Sequence, residues 1–316
     1  MISYIVRRTL QLLPVLLLGS IGIFLMVYLT PGGPIGALLG EDPTQEQIDA
    51  LTERLGLDDP ILVQYGRWAA DALRGDLGTS YRIDQPVTEL IAERLPATFQ
   101  LAFAAMLLAL VVALPLALLS VRWPGGPVDR FVTGLAALIL AVPTFWLGIL
   151  LILYFSVNLG MLPGASRHVS FFEDPVEAIR NLILPAFVLG MSAAGILVRF
   201  LRASLLGEMN TDYVRTARSK GVRQRSVLTN HVLKNAMLPF ITVVGLQIGG
   251  LVTGAVVTES VFTYPGLGRL LVQAISQRDY PVIQGTILII LVFYVIVNVL
   301  VDVAYAYLDP RIEYSA

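Results

Sequence analysis

The stretch from Asp212 to Pro239, DYVRTARSKGVRQRSVLTNHVLKNAMLP, gathers ionisable side chains between two long apolar runs. Its six cations are Arg215, Arg218, Lys220, Arg223, Arg225 and Lys234, a set suited to charge pairing and docking rather than to bond-making. At about 3 kcal/mol per charge at mid-bilayer, placing all six in lipid would cost roughly 18 kcal/mol, so the stretch stands in water. The residue patterns of covalent chemistry are missing. The sequence holds no G-x-x-x-x-G-K-[ST] phosphate loop, no H-E-x-x-H and no G-x-S-x-G. It has no cysteine, which excludes disulfides, thiolate metal sites and a cysteine nucleophile. Of its two histidines, His168 and His231, the second lies in the basic stretch and reads as a solvated or interface side chain. The expectation is a chain that is not an enzyme, with no catalytic residue, no metal site and no cofactor.

A second group of residues lies in or beside the apolar runs. Glu259 follows one run, and Asn298 and Asp302 lie within another. Polar groups at membrane depth are functional suspects by default. Glu259 also has a structural reading, pairing with Arg269 or capping the local turn, and Asp302 fits an interfacial role. The segment Phe262 to Gly268 mixes aromatic and turn residues. It reads equally as an aromatic belt with a re-entrant turn or as an outer gate or docking surface. Glu259, Phe262, Tyr264 and Asn298 are therefore the pathway or gate candidates.

The elements that position these residues follow from composition. Of 316 residues, 56% are hydrophobic and only 14% charged, with mean hydropathy +0.74; soluble domains carry about 25% charge. The expected fold class is an all-α polytopic membrane protein. Six runs near 9–30, 97–121, 131–159, 182–201, 240–258 and 281–308 approach the roughly 20 residues that cross a bilayer. Arg7 and Arg8 precede a first run too long for a signal-peptide core and followed by PGGP, so it reads as a retained span. Six spans put both termini on one side. The short segments on that side hold Arg122, Arg130, Arg199, Arg202 and the basic loop, which makes it the cytoplasm by the positive-inside rule.

The chain divides into residues 1–30 (N-terminus and first span), 31–96 (an outer segment) and 97–316 (a core of five spans with a cytoplasmic loop over 203–239). The outer segment is too long for a plain connection. Thr44-Gln45-Glu46-Gln47 opens a short helix through a capping box, stopped by Gly56. An amphipathic stretch follows Pro60, and Val87 to Arg94 forms another short helix, together making a small cap on the outer mouth. In the basic loop, Asn210 or Thr211 caps a helix with Asp212 in its first turn. Gly221 supplies the left-handed residue that reverses the chain. A second helix from Arg223 carries Val227, Leu228, Val232, Leu233 and Ala236 as an apolar stripe, and Pro239 marks entry to the fifth span. By spacing alone this helix–corner–helix is either a docking element or an amphipathic segment held by anionic lipid.

Motifs in order along the chain sharpen this reading. Tyr4-Ile5-Val6-Arg7-Arg8, Leu57-x-x-Pro60, Gly75-Asp76-Leu77-Gly78-x-Ser80 and Glu93-Arg94-Leu95-Pro96-Ala97-Thr98 are followed by DYVRTAR-x-KG. Pro265-Gly266-Leu267-Gly268-Arg269-Leu270-Leu271, Arg278-Asp279-Tyr280-Pro281 and Leu308-Asp309-Pro310-Arg311 come after it. Together they resemble the ABC importer permease subunits of the dipeptide/oligopeptide/nickel family, of the first-permease type. Only Ala217 and Gly221 match the general EAA-x3-G loop motif of ABC permeases; Arg215 and Thr216 fit the peptide-permease form. The resemblance implies a type I importer fold with a small extracytoplasmic helical insertion, in a bacterial inner membrane. It implies import of di- or oligopeptides, with nickel or another small solute as the alternative. A non-transporting membrane scaffold or receptor is the alternative from another class. Asp212, Tyr213, Arg215, Thr216, Ala217, Arg218, Lys220 and Gly221 would form the coupling element toward the ATPases. The implied partners are a second, homologous permease subunit, two cytoplasmic ABC ATPase subunits, an extracytoplasmic peptide-binding protein and the lipid bilayer, with no nucleic acid.

Overall fold

Backbone surrounded by lipid must satisfy its own polar groups, so long apolar runs become helices. The computed structural model describes residues 2–30, 33, 35, 36 and 44–308. Among them the only extended pairing is a single bridge between Thr79 and Pro86. α1 (Ile2–Leu29) is followed by two short helices, α2 (Gln45–Leu55) and α3 (Ile61–Leu73). Next come α4 (Val87–Arg122), α5 (Pro127–Ala141), α6 (Thr144–Asn158), α7 (Pro175–Met209) and the eight-residue α8 (Asp212–Ser219). α9 (Gln224–Val261), α10 (Leu267–Gln277) and α11 (Tyr280–Leu308) complete the described chain. Five helices, in α1, α4, α7, α9 and α11, are long and apolar enough to span a membrane, and the bent pair α5–α6 makes a sixth if taken as one span. The all-α polytopic architecture expected from composition is the one observed.

At the centre α4 packs along α7, with α9 against both, while α1 lies on α11. α4 presents Ala105, Ala109, Ala113 and Ala117, all fully buried, at four-residue intervals that stack them on one face. Small side chains let helix backbones approach closely in a membrane. A Cβ on Gly190 of α7 would lie 2.6 Å from the Ala105 carbonyl oxygen. Leu197, Leu201 and Leu205 of α7 and Phe240 of α9 fill the core toward the end of the bundle that carries α8.

The boundaries that depart from expectation cluster at prolines. The run expected as one helix over 131–159 is two, bent by 93°. Pro143 forces the preceding residue out of the helical region; Val142 sits at φ −81°, ψ 122°, and Pro143 then opens α6. Val87 to Arg94 is not a separate short helix but the start of α4, with Pro96 inside it, so the boundary expected at 96 falls within a helix. Pro239 does not begin the fifth span; it is internal to a helix running from Gln224, whose early turns, Val227–Val232, are π-helical. The fourth span also extends past its expected limits, with Pro185 internal. The internal prolines Pro96, Pro185 and Pro239 each remove one intrahelical donor, which tight packing against neighbouring helices tolerates. α10, where the sequence reading places no helix, is amphipathic and too short to register as an apolar run.

The outer segment is anchored at both of its ends. α2 begins at the expected capping box, with Thr44 accepting from the Gln47 N–H and the Gln47 side chain accepting from the Thr44 N–H, and it ends at Gly56. α3 is tied to α1 by Ser20 and Tyr65 at 2.9 Å and by the Tyr28 hydroxyl donating to Gln64. Further on, the Ser80 hydroxyl and the Tyr81 N–H both donate to the buried carboxylate of Asp279. Two motifs some 200 residues apart thus meet, locking the turn after Gly78 onto the α10–α11 corner.

The α4–α7 contact yields a stability test. Gly190→Ala must push the Ala105 carbonyl away, an overpacking cost of about 1–3 kcal/mol. Gly207→Ala, on the same helix with nothing within 4 Å of the added methyl, should be neutral. Thermal unfolding of the two variants in detergent should show a lowered midpoint for the first alone.

Candidate functional site

α7 ends at Met209 and α8 starts at Asp212, so the chain turns abruptly at the basic end of the bundle. Thr211 occupies the N-cap position, but its hydroxyl donates to the Glu208 carbonyl at 2.6 Å rather than capping α8. Asp212 in the first turn and Arg218 in the last complement the helix dipole. The end of α8 is a Schellman motif. The Val222 N–H donates to the Ala217 carbonyl at 3.2 Å and the Gly221 N–H to that of Arg218 at 2.9 Å. Gly221 has φ +76°, a conformation that side-chain-bearing residues adopt only at a cost.

One side chain pins α8 to the bundle. Val214 is fully buried, in the same core as Leu205 of α7 and Val227, Val232 and Ala236 of α9; Ala217 and Val222 pack against that core. The remaining predicted residues face outward: Asp212, Tyr213, Arg215, Thr216, Arg218, Lys220 and Gly221 are all exposed. Arg215 and Asp212 approach to 3.4 Å with both side chains in solvent, a pairing of the kind that contributes about 0–1 kcal/mol. Arg218 and Lys220 make no salt bridge among the described residues. The Tyr213 hydroxyl donates to Glu208 Oε2 at 2.6 Å; partial burial, then that carboxylate, raise its pKa, so it stays a neutral donor. The product is a rigid cationic knob on a buried valine pivot, able to dock and to transmit displacement.

Behind the knob lies an ion pair between a buried carboxylate and a half-buried arginine, which no sequence spacing points to. The Arg202 guanidinium donates through both Nε and Nη2 to Asp129, the Nη2–Oδ2 distance being 2.7 Å. The Ser120 hydroxyl donates to Oδ1 of the same carboxylate and the Gly125 N–H to Oδ2 at 2.8 Å. Asp129 is 3% exposed. The cluster ties the α4–α5 turn to α7 about two turns before that helix ends at Met209. Its only sequence signal is a lone acid, next to Arg130, in a segment otherwise basic.

At the opposite end, three of the four gate candidates converge. Glu259 is fully buried. Its Oε2 accepts from the Gly268 N–H at 2.7 Å and the Arg269 N–H at 3.1 Å, and its Oε1 from the Thr98 hydroxyl at 2.7 Å. Thr98 in turn accepts from the Leu267 N–H at 2.8 Å. Glu259 and Thr98 therefore satisfy the otherwise orphaned amides that begin α10, and a Cβ at Gly266 would overlap the carboxylate. The Arg269 guanidinium, considered as a partner of Glu259, instead donates to the Thr263 carbonyl. Phe262 is fully buried with Leu184 and Val188. Tyr264 is fully buried in the central core, edge-on to His168 at 6.5 Å. Asn298 lies apart on α11, its amide donating to the Tyr294 carbonyl one turn back at 2.9 Å.

Comparison with known proteins covers the whole chain. A family model described as a binding-protein-dependent transport system inner membrane component matches residues 105–314, and one for the N-terminal part of such a membrane component matches residues 1–102. The oligopeptide transport system permease protein AppB of Bacillus subtilis is 42% identical over 99% of this chain and 100% of its own. The glutathione transport system permease protein GsiC of Pectobacterium atrosepticum is 40% identical over 100% of both chains. Among solved structures, a chain of the inward-facing MetNI methionine ABC transporter superposes with TM-score 0.58 at 17% identity, over 70% of this chain and 96% of that one, a likeness of fold.

The Asp129–Arg202 pair makes a direct prediction. Arg202→Leu strands a buried carboxylate and should destabilise the protein by about 3 kcal/mol. Adding Asp129→Leu should recover a large part of that loss. Unfolding midpoints of the single and double variants measure both steps.

Proposed function

Because the chain belongs to the family of binding-protein-dependent transport system inner membrane components, we propose that it is a permease subunit of an ATP-driven ABC importer of short peptides. The observation that carries this reading is α8. It is a short cationic helix held rigidly by Val214 and the Gly221 corner, with its polar face free to enter a groove on another subunit. In this reading the basic end faces the cytoplasm and α8 seats in a cytoplasmic ATPase, which supplies the hydrolysis that this chain has no phosphate loop to perform. A second, similar permease completes the pathway, and an extracytoplasmic binding protein delivers substrate to the end that carries α10 and the outer insertion. The transport names of relatives alike along their full length, oligopeptide and glutathione, support peptides as the substrate class.

Coupling needs only that the ATPase bind α8 with different affinity in two conformations. Moving a two-state equilibrium from 1:99 to 99:1 takes about 5.5 kcal/mol of differential binding. α9 gives that energy a route. It begins three residues beyond the Gly221 corner and runs as one helix to Glu259 at the far end. Glu259, Phe262 and Tyr264 would then act as a packed frame for the outer gate that moves with α9 rather than lining the path.

Gly221→Val should remove the left-handed corner at a strain cost of about 1–3 kcal/mol and misplace α8. In the reconstituted complex, substrate-stimulated ATPase activity and uptake should fall at least about tenfold (about 1.4 kcal/mol) while assembly persists; an unchanged stimulation would refute the role of α8. For the substrate class, the cognate binding protein should bind di- to oligopeptides and not free Ni²⁺ in calorimetric titrations.

A further inference from the structure

Between the last turns of α4 and the first turns of α9 lies an open groove of about 670 Å³. Pro115, Leu118, Leu119 and Leu228 supply its apolar floor, and Arg122 and Arg225 stand at its edge. Leu119 is 45% exposed, so the apolar surface is open to the surroundings. Neither arginine has a carboxylate partner among the described residues: Arg122 stacks over the Trp123 ring at 4.5 Å, and Arg225 makes no salt bridge. Trp123 is 51% exposed, as befits a side chain at the membrane–water interface, where indole rings settle. The groove therefore combines an apolar trough with two uncompensated cations.

We propose that this groove is a binding site for an anionic phospholipid, the phosphate held between Arg122 and Arg225 and an acyl chain lying along Leu118, Leu119 and Leu228. Basic pockets between membrane helices on the cytoplasmic side recognise anionic headgroups by this combination of charge and apolar area. A soluble anion would use the arginines but gain nothing from the leucines. The charge complementarity also favours a net-anionic lipid over a zwitterionic one, whose phosphate charge is offset by its own ammonium group. Arg225 lies four residues after Gly221, so a lipid seated here would brace the base of α9 beside the corner that positions α8. The inference takes from the proposed function only that the basic end meets the cytoplasmic leaflet.

Native mass spectrometry tests it on the full chain with the subunits that copurify with it, in detergent containing equal amounts of dioleoylphosphatidylglycerol and dioleoylphosphatidylcholine. The wild type should retain phosphatidylglycerol preferentially, and millimolar inorganic phosphate should not displace it. The double variant Arg122→Gln with Arg225→Gln should lose roughly tenfold in phosphatidylglycerol affinity. Leu119→Trp, which fills the groove without changing charge, should weaken retention as well. Arg130→Gln, which removes an exposed cation at the same end but outside the groove, should leave it unchanged. Equal retention of the two lipids, displacement by phosphate, or an equal loss in Arg130→Gln would overturn the proposal. So would a complex that carries no lipid at all. No ATP or peptide is present, so these outcomes are independent of whether the transport assignment holds.

Discussion

The left-handed residue at Gly221 fixes where the positive charge of this chain stands relative to its membrane-spanning bundle. Immersing those cations in lipid would cost more than the stability of a folded domain allows, so the segment must leave the bilayer and return. It does so without becoming a loose loop. Val214 enters the bundle core, the Schellman bonds close α8, and Val222 re-enters the core as the chain turns into α9. A charge constraint is thereby converted into a rigid shape, and the outward face of α8 is left with exposed cations that have only weak internal partners.

That shape matters because of what it is joined to. α7 enters the corner and is held to the α4–α5 turn by the Asp129–Arg202 pair. α9 leaves the corner and ends at Glu259, whose carboxylate organises the start of α10. α10 in turn meets the outer segment where Asp279 accepts from Ser80 and Tyr81. Force applied to α8 thus meets hydrogen-bonded joints at both ends of the molecule, with small-residue helix packing between them. A permease that must switch between two packings needs rigid elements with few joints, since packed interfaces are bistable rather than continuously deformable.

The parts legible in the sequence are those set by neighbours a few residues apart. The Thr44–Gln47 capping box, the α8 corner at Gly221 and the apolar stripe of Val227, Val232 and Ala236 all follow from local spacing. The all-α polytopic class follows from apolar run length, and so do five spans, with a sixth where the bent α5–α6 pair is taken as one. The bend at Pro143 escaped because hydropathy averages over a window and does not register one extended residue. The helices that continue through Pro96 and Pro239 escaped for the opposite reason: tertiary packing carries them past a residue that ordinarily ends a helix. The Asp129–Arg202 pair joins residues 73 positions apart, and the Glu259–Thr98 bond joins residues 161 apart; no spacing rule brings such partners together. Glu259 stands out in the sequence as a carboxylate beside an apolar run, but whether it lines a path or caps a helix depends on the position of α10.

Because the chain contains no cysteine, a single introduced thiol is the only one this subunit contributes. Thr216→Cys, on the outward face of α8, placed in the assembled transporter with a short thiol–amine crosslinker, reads what this helix touches. Efficient joining to the ATPase subunit is expected, with a yield that changes when ATP is added, and none from Ser276→Cys on α10 at the opposite end. Thr216→Cys that fails to join the ATPase, or joins it no better than Ser276→Cys does, would contradict the assignment of α8 as the coupling element.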